Sequence, residues 1–418
     1  MTFPTEGLDV DEVIDALQSK RGRDVRWQDG RTFGMVYDGG ESVHRVAEEA
    51  ARLFLHDNAL NTLAFPSLGE IQSEVVGWCA DLFNAPEGAA GFMTSGGTES
   101  ILMAVKAARE RGKAERGVMA PEIVLPESAH AAFHKGAYYF GLKVNKIPVR
   151  DDWRADVDAM AAAVNDNTVL VVGSAPQYPQ GVIDPIPELA ELAQSVGASM
   201  HVDACMGGFV LPFMEANGHD LPPWDFRVPG VTTMSADIHK LGYAPKGASV
   251  ILHASKDLRK HQTFVFSDWL GGFYASPNMQ GTRPALPMAT AWAVMRHLGL
   301  EGYKERTRIT IETRIRMVEG IRAIEGLQVL GEPEAQLVAM AVAPGWEDRL
   351  DAFAIGDALL ARGGWFHDRQ GPPDTLHSTV SVGNAPVIDD YLADLRAVVE
   401  ETLGTRAADR STNYATLE

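Results

Sequence analysis

Short apolar runs alternate with amphipathic stretches through the middle of the chain, and this alternation sets the expected architecture. Apolar, β-prone runs fall at 123–125, 144–149, 169–173, 199–202, 231–235 and 249–252. Helical periodicity lies between several of them, as at 99–109 and 187–196. Strands alternating with helices predict an α/β fold with a mostly parallel sheet covered on both faces. Beyond it, a long helical stretch at 285–324 leads into shorter strands at 327–330, 336–342 and 376–382, with helices near 351–362 and 387–403. That second pattern predicts a smaller α+β domain. The expected organisation is an N-terminal segment 1–65, a large domain 66–300, a small C-terminal domain 301–404 and a tail 405–418. The tail is polar and aperiodic and is expected to fray.

Composition narrows the classes of function. Of 418 residues, 45% are hydrophobic and 22% charged, an ordinary globular balance for a chain of two to three domains. A formal charge of −19 argues against a nucleic-acid partner. The locally basic stretch 304–316 mixes its charges with apolar residues, as a solvated helix face does. Two cysteines, Cys79 and Cys205, give no disulfide framework and are expected to be buried structural residues. The first residues lack a basic start and an apolar core, and no run approaches the ~20 apolar residues that span a bilayer. A cytoplasmic protein with no membrane span is the expectation.

The densest chemistry lies in SADIHK at 235–240 and HVDAC at 201–205, each closing an apolar run. A lysine beside a histidine, with an acid from a neighbouring strand, suits pyridoxal 5'-phosphate. Lys240 supplies the amine for a Schiff base, and Asp203 keeps the ring nitrogen protonated so that the ring accepts electrons. SGGTE at 95–99 opens an amphipathic helix. Ser95, Gly96, Gly97 and Thr98 there suit a phosphate, because glycines admit an anion to backbone N–H groups and the helix dipole favours it. Plain N-capping by Ser or Thr is the competing explanation. His130 follows the strand at 123–125, at the sheet edge where ligands bind in open α/β folds, and can stack on a flat ring. Lys246 can move protons if its pKa is lowered, can anchor a substrate anion, or can be an exposed turn lysine. His201 reads as a satisfied core residue. His44, His56, His219, His261, His297 and His367 show no metal-ligand spacing, and no structural metal is expected.

With these motifs the chain resembles the sphingosine-1-phosphate lyases, within the group II decarboxylase-like branch of fold-type-I pyridoxal-phosphate enzymes. The resemblance runs from about residue 27 into the C-terminal domain, through GMVY (34–37), TSGGTESILMA (94–104), GVIDP (181–185), HVDACMGGF (201–209), SADIHKLGYAPKG (235–247) and DWLGGFYASP (268–277). It implies an aspartate-aminotransferase-like fold and a homodimer with shared active sites. It assigns the Schiff base to Lys240, the ring-nitrogen partner to Asp203 and ring stacking to His130. It sets Ser95, Gly97, Thr98, Ser235 and His239 around the phosphate. Gly281 and Thr282 would reach the partner's cofactor, while Tyr37, Asn58, Tyr178 and Lys246 match positions near the substrate. Asn61 stands where these lyases usually carry a histidine that contacts the substrate phosphate; its amide can still donate. Gln180 and Leu241 replace a common histidine and tyrosine.

The activity implied is cleavage of the C2–C3 bond of a phosphorylated 2-amino-3-hydroxy compound, a small molecule or a lipid phosphate, to an aldehyde and phosphoethanolamine. Lys246, Tyr178 or a phosphate oxygen would handle protons. Decarboxylation of an L-amino acid by the same apparatus is the rival, kept open by the substitutions at 61, 180 and 241. A non-catalytic scaffold would have lost the lysine, acid and phosphate cradle, all of which are present.

Overall fold

The computed structural model describes residues 2–412. Seven strands form the large sheet: β1 (Ala90–Thr94), β2 (Glu122–Pro126), β3 (Lys143–Ile147), β4 (Thr168–Ser174), β5 (Ser199–Asp203), β6 (Val231–Ala236) and β7 (Ser249–His253). Their order is β1-β7-β6-β5-β4-β2-β3, and β7 alone runs antiparallel to its neighbours. The carboxyl ends of β1, β2, β4, β5 and β6 therefore lie along one edge of the sheet. Alternation within the strands makes both faces apolar, as helix-covered parallel sheets require. Val124 and Val171 enter the main core, while Ile123, Leu125, Leu170 and Val172 pack on the other face with Phe133.

A smaller antiparallel sheet of β10 (Leu327–Val329), β11 (Leu337–Val342), β12 (Asp368–Gln370) and β13 (Thr375–Thr379) has the order β10-β11-β13-β12. Its core gathers Phe353, Trp365 and Tyr391 with Phe33 from the N-terminal segment. Asn384 holds that segment down by donating to the carbonyls of Gly30 and Thr32 at 2.8 and 3.1 Å. The long helix Ala285–Arg322 leads into this unit and is broken at Gly299, whose φ of 54° suits glycine. Among the described residues no helix is long and apolar enough to cross a membrane.

The α/β fold and its small antiparallel companion agree with the pattern of the sequence, and both cysteines are buried. Four features differ from expectation. Strand β1 was not among the predicted runs, being short and rich in small residues; a Cβ on Gly91 would lie 2.2 Å from the Ile251 carbonyl oxygen. Strand β12 is polar and sits at a sheet edge, and the β8–β9 hairpin (Phe264–Phe266 with Tyr274–Ser276) has strands of three residues each. The described part of the tail is docked rather than frayed. Arg406 donates to the carbonyls of Leu350 and Glu347, both at 2.6 Å, and Arg410 pairs with Asp351 and Asp374. The rest of the tail, 413–418, lies outside the described residues.

Candidate active site

The loops leaving β1, β2, β4, β5 and β6 enclose a cavity of about 290 Å³ at the carboxyl edge of the sheet. Its lining includes Ser95, Gly96, Gly97, Thr98, His130, Tyr178, Asp203, Asp237, His239 and Lys240. Parallel strands deliver these residues together because each changes to loop at the same edge.

Asp203 ends β5 and is buried. Its Oδ1 accepts from the Cys205 amide at 3.0 Å and the Ser235 hydroxyl at 3.3 Å. Ser235, expected beside the phosphate, is instead behind Asp203 and fully buried. The cause is strand register: Ser235 pairs with Asp203 across β5 and β6, so the two side chains share a face.

Lys240 follows β6 with its Nζ 2.9 Å from Asp237 Oδ2. Asp237 is buried, yet its carboxyl stays below the ordinary range: desolvation works against ionisation, and Lys240 and His239 outweigh it. His239 Nδ1 accepts from the amides of Gly247 and Ala248 at 3.3 and 3.1 Å. A neutral ring with Nδ1 accepting carries its proton on Nε2. Burial lowers the His239 pKa to about 4, so the neutral form prevails near neutrality. His130 is built alike: Nδ1 accepts from the Ala132 amide at 3.1 Å, and desolvation lowers its pKa.

The helix Gly97–Arg116 opens at Gly96 with no side-chain cap, which sets aside plain N-capping there. Its first-turn N–H groups stand beside the cavity. A Cβ on Gly97 would lie 2.8 Å from Cys205 Sγ and 2.9 Å from Asp237 Oδ2, so this approach to the floor needs glycine. Buried Glu99 accepts from the Ser95 amide at 2.7 Å and from the Met279 amide at 2.9 Å. Ser95 is thus left to offer an anion its hydroxyl. An uncapped helix end, a glycine cradle, a neutral imidazole donor and an amine opposite a carboxylate fit the phosphate, ring and aldehyde of pyridoxal phosphate.

Apart from Tyr178, the remaining predicted residues lie outside this lining. Lys246 is an exposed residue overall, but its Nζ donates to the His239 carbonyl at 3.1 Å and lies 4.6 Å from the Tyr37 ring centroid. Desolvation of that end, with Lys240 nearby, lowers its pKa to about 8. Asn58, Asn61, Gly281 and Thr282 lie on partly or fully exposed loops. Tyr178 donates its hydroxyl to Asp368 Oδ2 at 2.9 Å, linking the cavity to the small sheet. Gln180 is absorbed in reciprocal bonds with Gln177 at 2.8 and 2.9 Å, and Leu241 is core. Sequence reasoning missed Asp237 and Glu99; each stands inside a motif already singled out, three residues before Lys240 and directly after Thr98.

Comparison with known proteins places this arrangement. The pyridoxal-dependent decarboxylase conserved domain matches residues 2–343. Sphingosine-1-phosphate lyase of Arabidopsis thaliana is 42% identical over 406 residues, covering 95% of this chain and 73% of that protein. The chain belongs to the sphingosine-1-phosphate lyase branch of the pyridoxal-dependent decarboxylase family. Within that family, the solved sphingosine-1-phosphate lyase of Burkholderia pseudomallei superposes with a TM-score of 0.91 at 38% identity, covering 96% of this chain and 92% of that one. A probable L-aspartate decarboxylase of Pyrococcus abyssi is 34% identical, covering 95% of this chain and 99% of that protein. The protein is a pyridoxal-phosphate-dependent lyase.

Proposed function

We propose that this protein cleaves the C2–C3 bond of a phosphorylated 2-amino-3-hydroxy compound of the sphingosine-1-phosphate type, releasing an aldehyde and phosphoethanolamine. The observation that carries the reading is the convergence of Lys240, Asp203, His130 and an uncapped helix end on one cavity. Similarity to the Arabidopsis lyase over nearly the whole chain supports the substrate class.

Lys240 would hold the cofactor's aldehyde carbon, Asp203 its ring nitrogen and His130 its ring face. Ser95 Oγ, the N–H groups of Gly97 and Thr98, and His239 would hold its phosphate. Bound there, the cofactor supplies an electron sink for the pair released when the carbon–carbon bond breaks. Lys246 suits the base that takes the C3 hydroxyl proton: with its pKa near 8, part of its amine is neutral at neutral pH. Tyr178 spends its own proton on Asp368 and offers the substrate an acceptor oxygen. Tyr37, Asn58 and Asn61 would meet the rest of the substrate. Gly281 and Thr282, exposed on this subunit, suit a homodimer in which they complete the partner's site. Domains at 66–300 and 301–404 and a cytoplasmic location complete the proposal.

Amino-acid decarboxylation is the second reading, favoured by the match to the Pyrococcus protein over almost its full length. Incubation with a phosphorylated sphingoid base and trapping of the aldehyde separates the two. Aldehyde release is expected, and Lys240→Ala should abolish it by on the order of 10³-fold or more. Carbon dioxide from L-aspartate, with no aldehyde from the sphingoid base, would replace the lyase reading with the decarboxylase one.

A further inference from the structure

Behind Asp203 lies a buried run of imidazole and hydroxyl groups that the reaction above does not use. His201 and Asp203 are two residues apart on β5 and so face the same side. Thr233 and Ser235 repeat that spacing on β6, with His201 paired to Thr233 and Asp203 to Ser235. His201 Nδ1 lies 2.8 Å from Thr233 Oγ1, and its Nε2 lies 3.1 Å from Ser235 Oγ. Ser235 Oγ in turn lies 3.3 Å from Asp203 Oδ1. His201 and Ser235 are both 0% exposed, and Phe133 packs edge-on against the imidazole with ring centroids 5.7 Å apart.

Proton counting gives this run a direction. An ionised Asp203 only accepts, so the single Ser235 hydroxyl proton goes to it. The Ser235 oxygen then receives the Nε2–H of His201, and the bare Nδ1 accepts from the Thr233 hydroxyl. Burial lowers the His201 pKa to about 4, which keeps the ring neutral and able to accept on one side while donating on the other.

We propose that His201 is a positioning residue: fixed by Thr233 as its Nε2–H tautomer, it turns the Ser235 hydroxyl onto Asp203 and keeps that carboxylate aimed at the cofactor's ring nitrogen. This rests on the assignment of Asp203 to the ring nitrogen. With the Ser235 proton turned towards His201 instead, Asp203 Oδ1 would keep only the Cys205 amide as donor. A donor to a carboxylate oxygen fixes where that carboxylate points, so losing one weakens its hold on a protonated ring nitrogen.

The test measures the cofactor dissociation constant and the visible absorbance of the loaded protein. The variants are His201→Leu, His201→Gln, Ser235→Ala, the Leu/Ala double variant and Asp203→Asn. His201→Leu and Ser235→Ala should each weaken cofactor binding roughly tenfold, the scale of one hydrogen bond to a charged group, and shift the spectrum. The double variant should be no worse than Ser235→Ala, because both changes cut one chain of bonds. His201→Gln keeps an amide donor and should recover most of the loss. Additive losses, or a Gln variant as weak as Leu, overturn the relay. Wild-type affinity and spectrum in His201→Leu alongside loss in Asp203→Asn overturn the relay and leave the Asp203 assignment standing. No effect of Asp203→Asn sinks both. Nitrogen-15 NMR of the unmutated loaded protein checks the tautomer without relying on any variant's folding: protonated Nε2 with bare Nδ1 at His201 is expected, and protonated Nδ1 overturns the proposal.

Discussion

Asp203 and Asp237 on the cavity floor are buried, and every polar group described around them is fixed by strand register or a short loop. On the rim, Asn61, Gly281 and Thr282 are exposed, and Tyr37 and Asn58 are half-buried. The floor is completed by one chain, because parallel strands bring their ends together whatever surrounds the molecule. The rim has no such frame within the subunit. Chemistry common to the whole family belongs on the floor, where geometry is enforced, whereas recognition of a particular substrate falls to side chains that neighbours and ligand must still fix.

Gly97→Ala should break the floor most sharply. The added methyl meets Cys205 and Asp237 below 3 Å and pushes against the group that holds Lys240. Cofactor affinity is expected to fall on the order of 100-fold as the floor shifts, and because the clash is with the protein's own atoms thermal stability should fall too, by about 1–3 kcal/mol; an unaltered dissociation constant would show the cradle to be looser than described. Next comes Thr282→Asp on the rim, which should repel an anion in the partner's site and lower activity roughly tenfold. Mixed and reassociated with Lys240→Ala, it should restore about a quarter of wild-type activity, since half the random dimers hold one intact shared site. No recovery on mixing would place those residues outside the partner's site.

Acid probes the floor through stability. His201 and His239 have folded pKa values lowered to about 4 from an ordinary 6.5. Between these values the unfolded chain binds more protons, so stability should fall as pH drops from 6.5 towards 4. Melting curves across that window should show the midpoint falling, and less steeply for His201→Gln. The smallest change is expected from Asn61→His. It restores a ring donor to the rim but gives up the bond from the Leu63 amide to Asn61 Oδ1 at 2.9 Å. KM for a phosphorylated substrate should drop about threefold, less than 1 kcal/mol, with cofactor affinity unchanged; a higher KM would argue that the turn matters more than the ring.

The same contrast governs what could be read from sequence. Lys240 and Asp203 were legible because each sits in a contiguous motif at the end of an apolar run, and the loop at 95–98 because its glycines open an amphipathic helix. Strand β1, which carries that loop, was not, since Ala90 and Gly91 are chosen for close packing and carry little hydrophobic signal. Ser235 was set beside the phosphate through the family resemblance, whereas strand register turns its side chain to Asp203. His201 looked like inert core, and only register across two strands connects it to the acid. The rim residues were visible through family resemblance alone, as no periodicity or spacing marks them.

Glu99 gives the boundary between floor and rim a mechanical meaning. One of its carboxylate oxygens grips Ser95 and the other grips Met279 and Gln280, just ahead of Gly281. Ordering the phosphate loop thereby favours ordering of the segment proposed to cross to the partner, and the favour is reciprocal. Under the shared-site arrangement, a subunit without cofactor is a poorer companion and an isolated subunit a poorer host, so that loading and pairing would climb together as the protein matures.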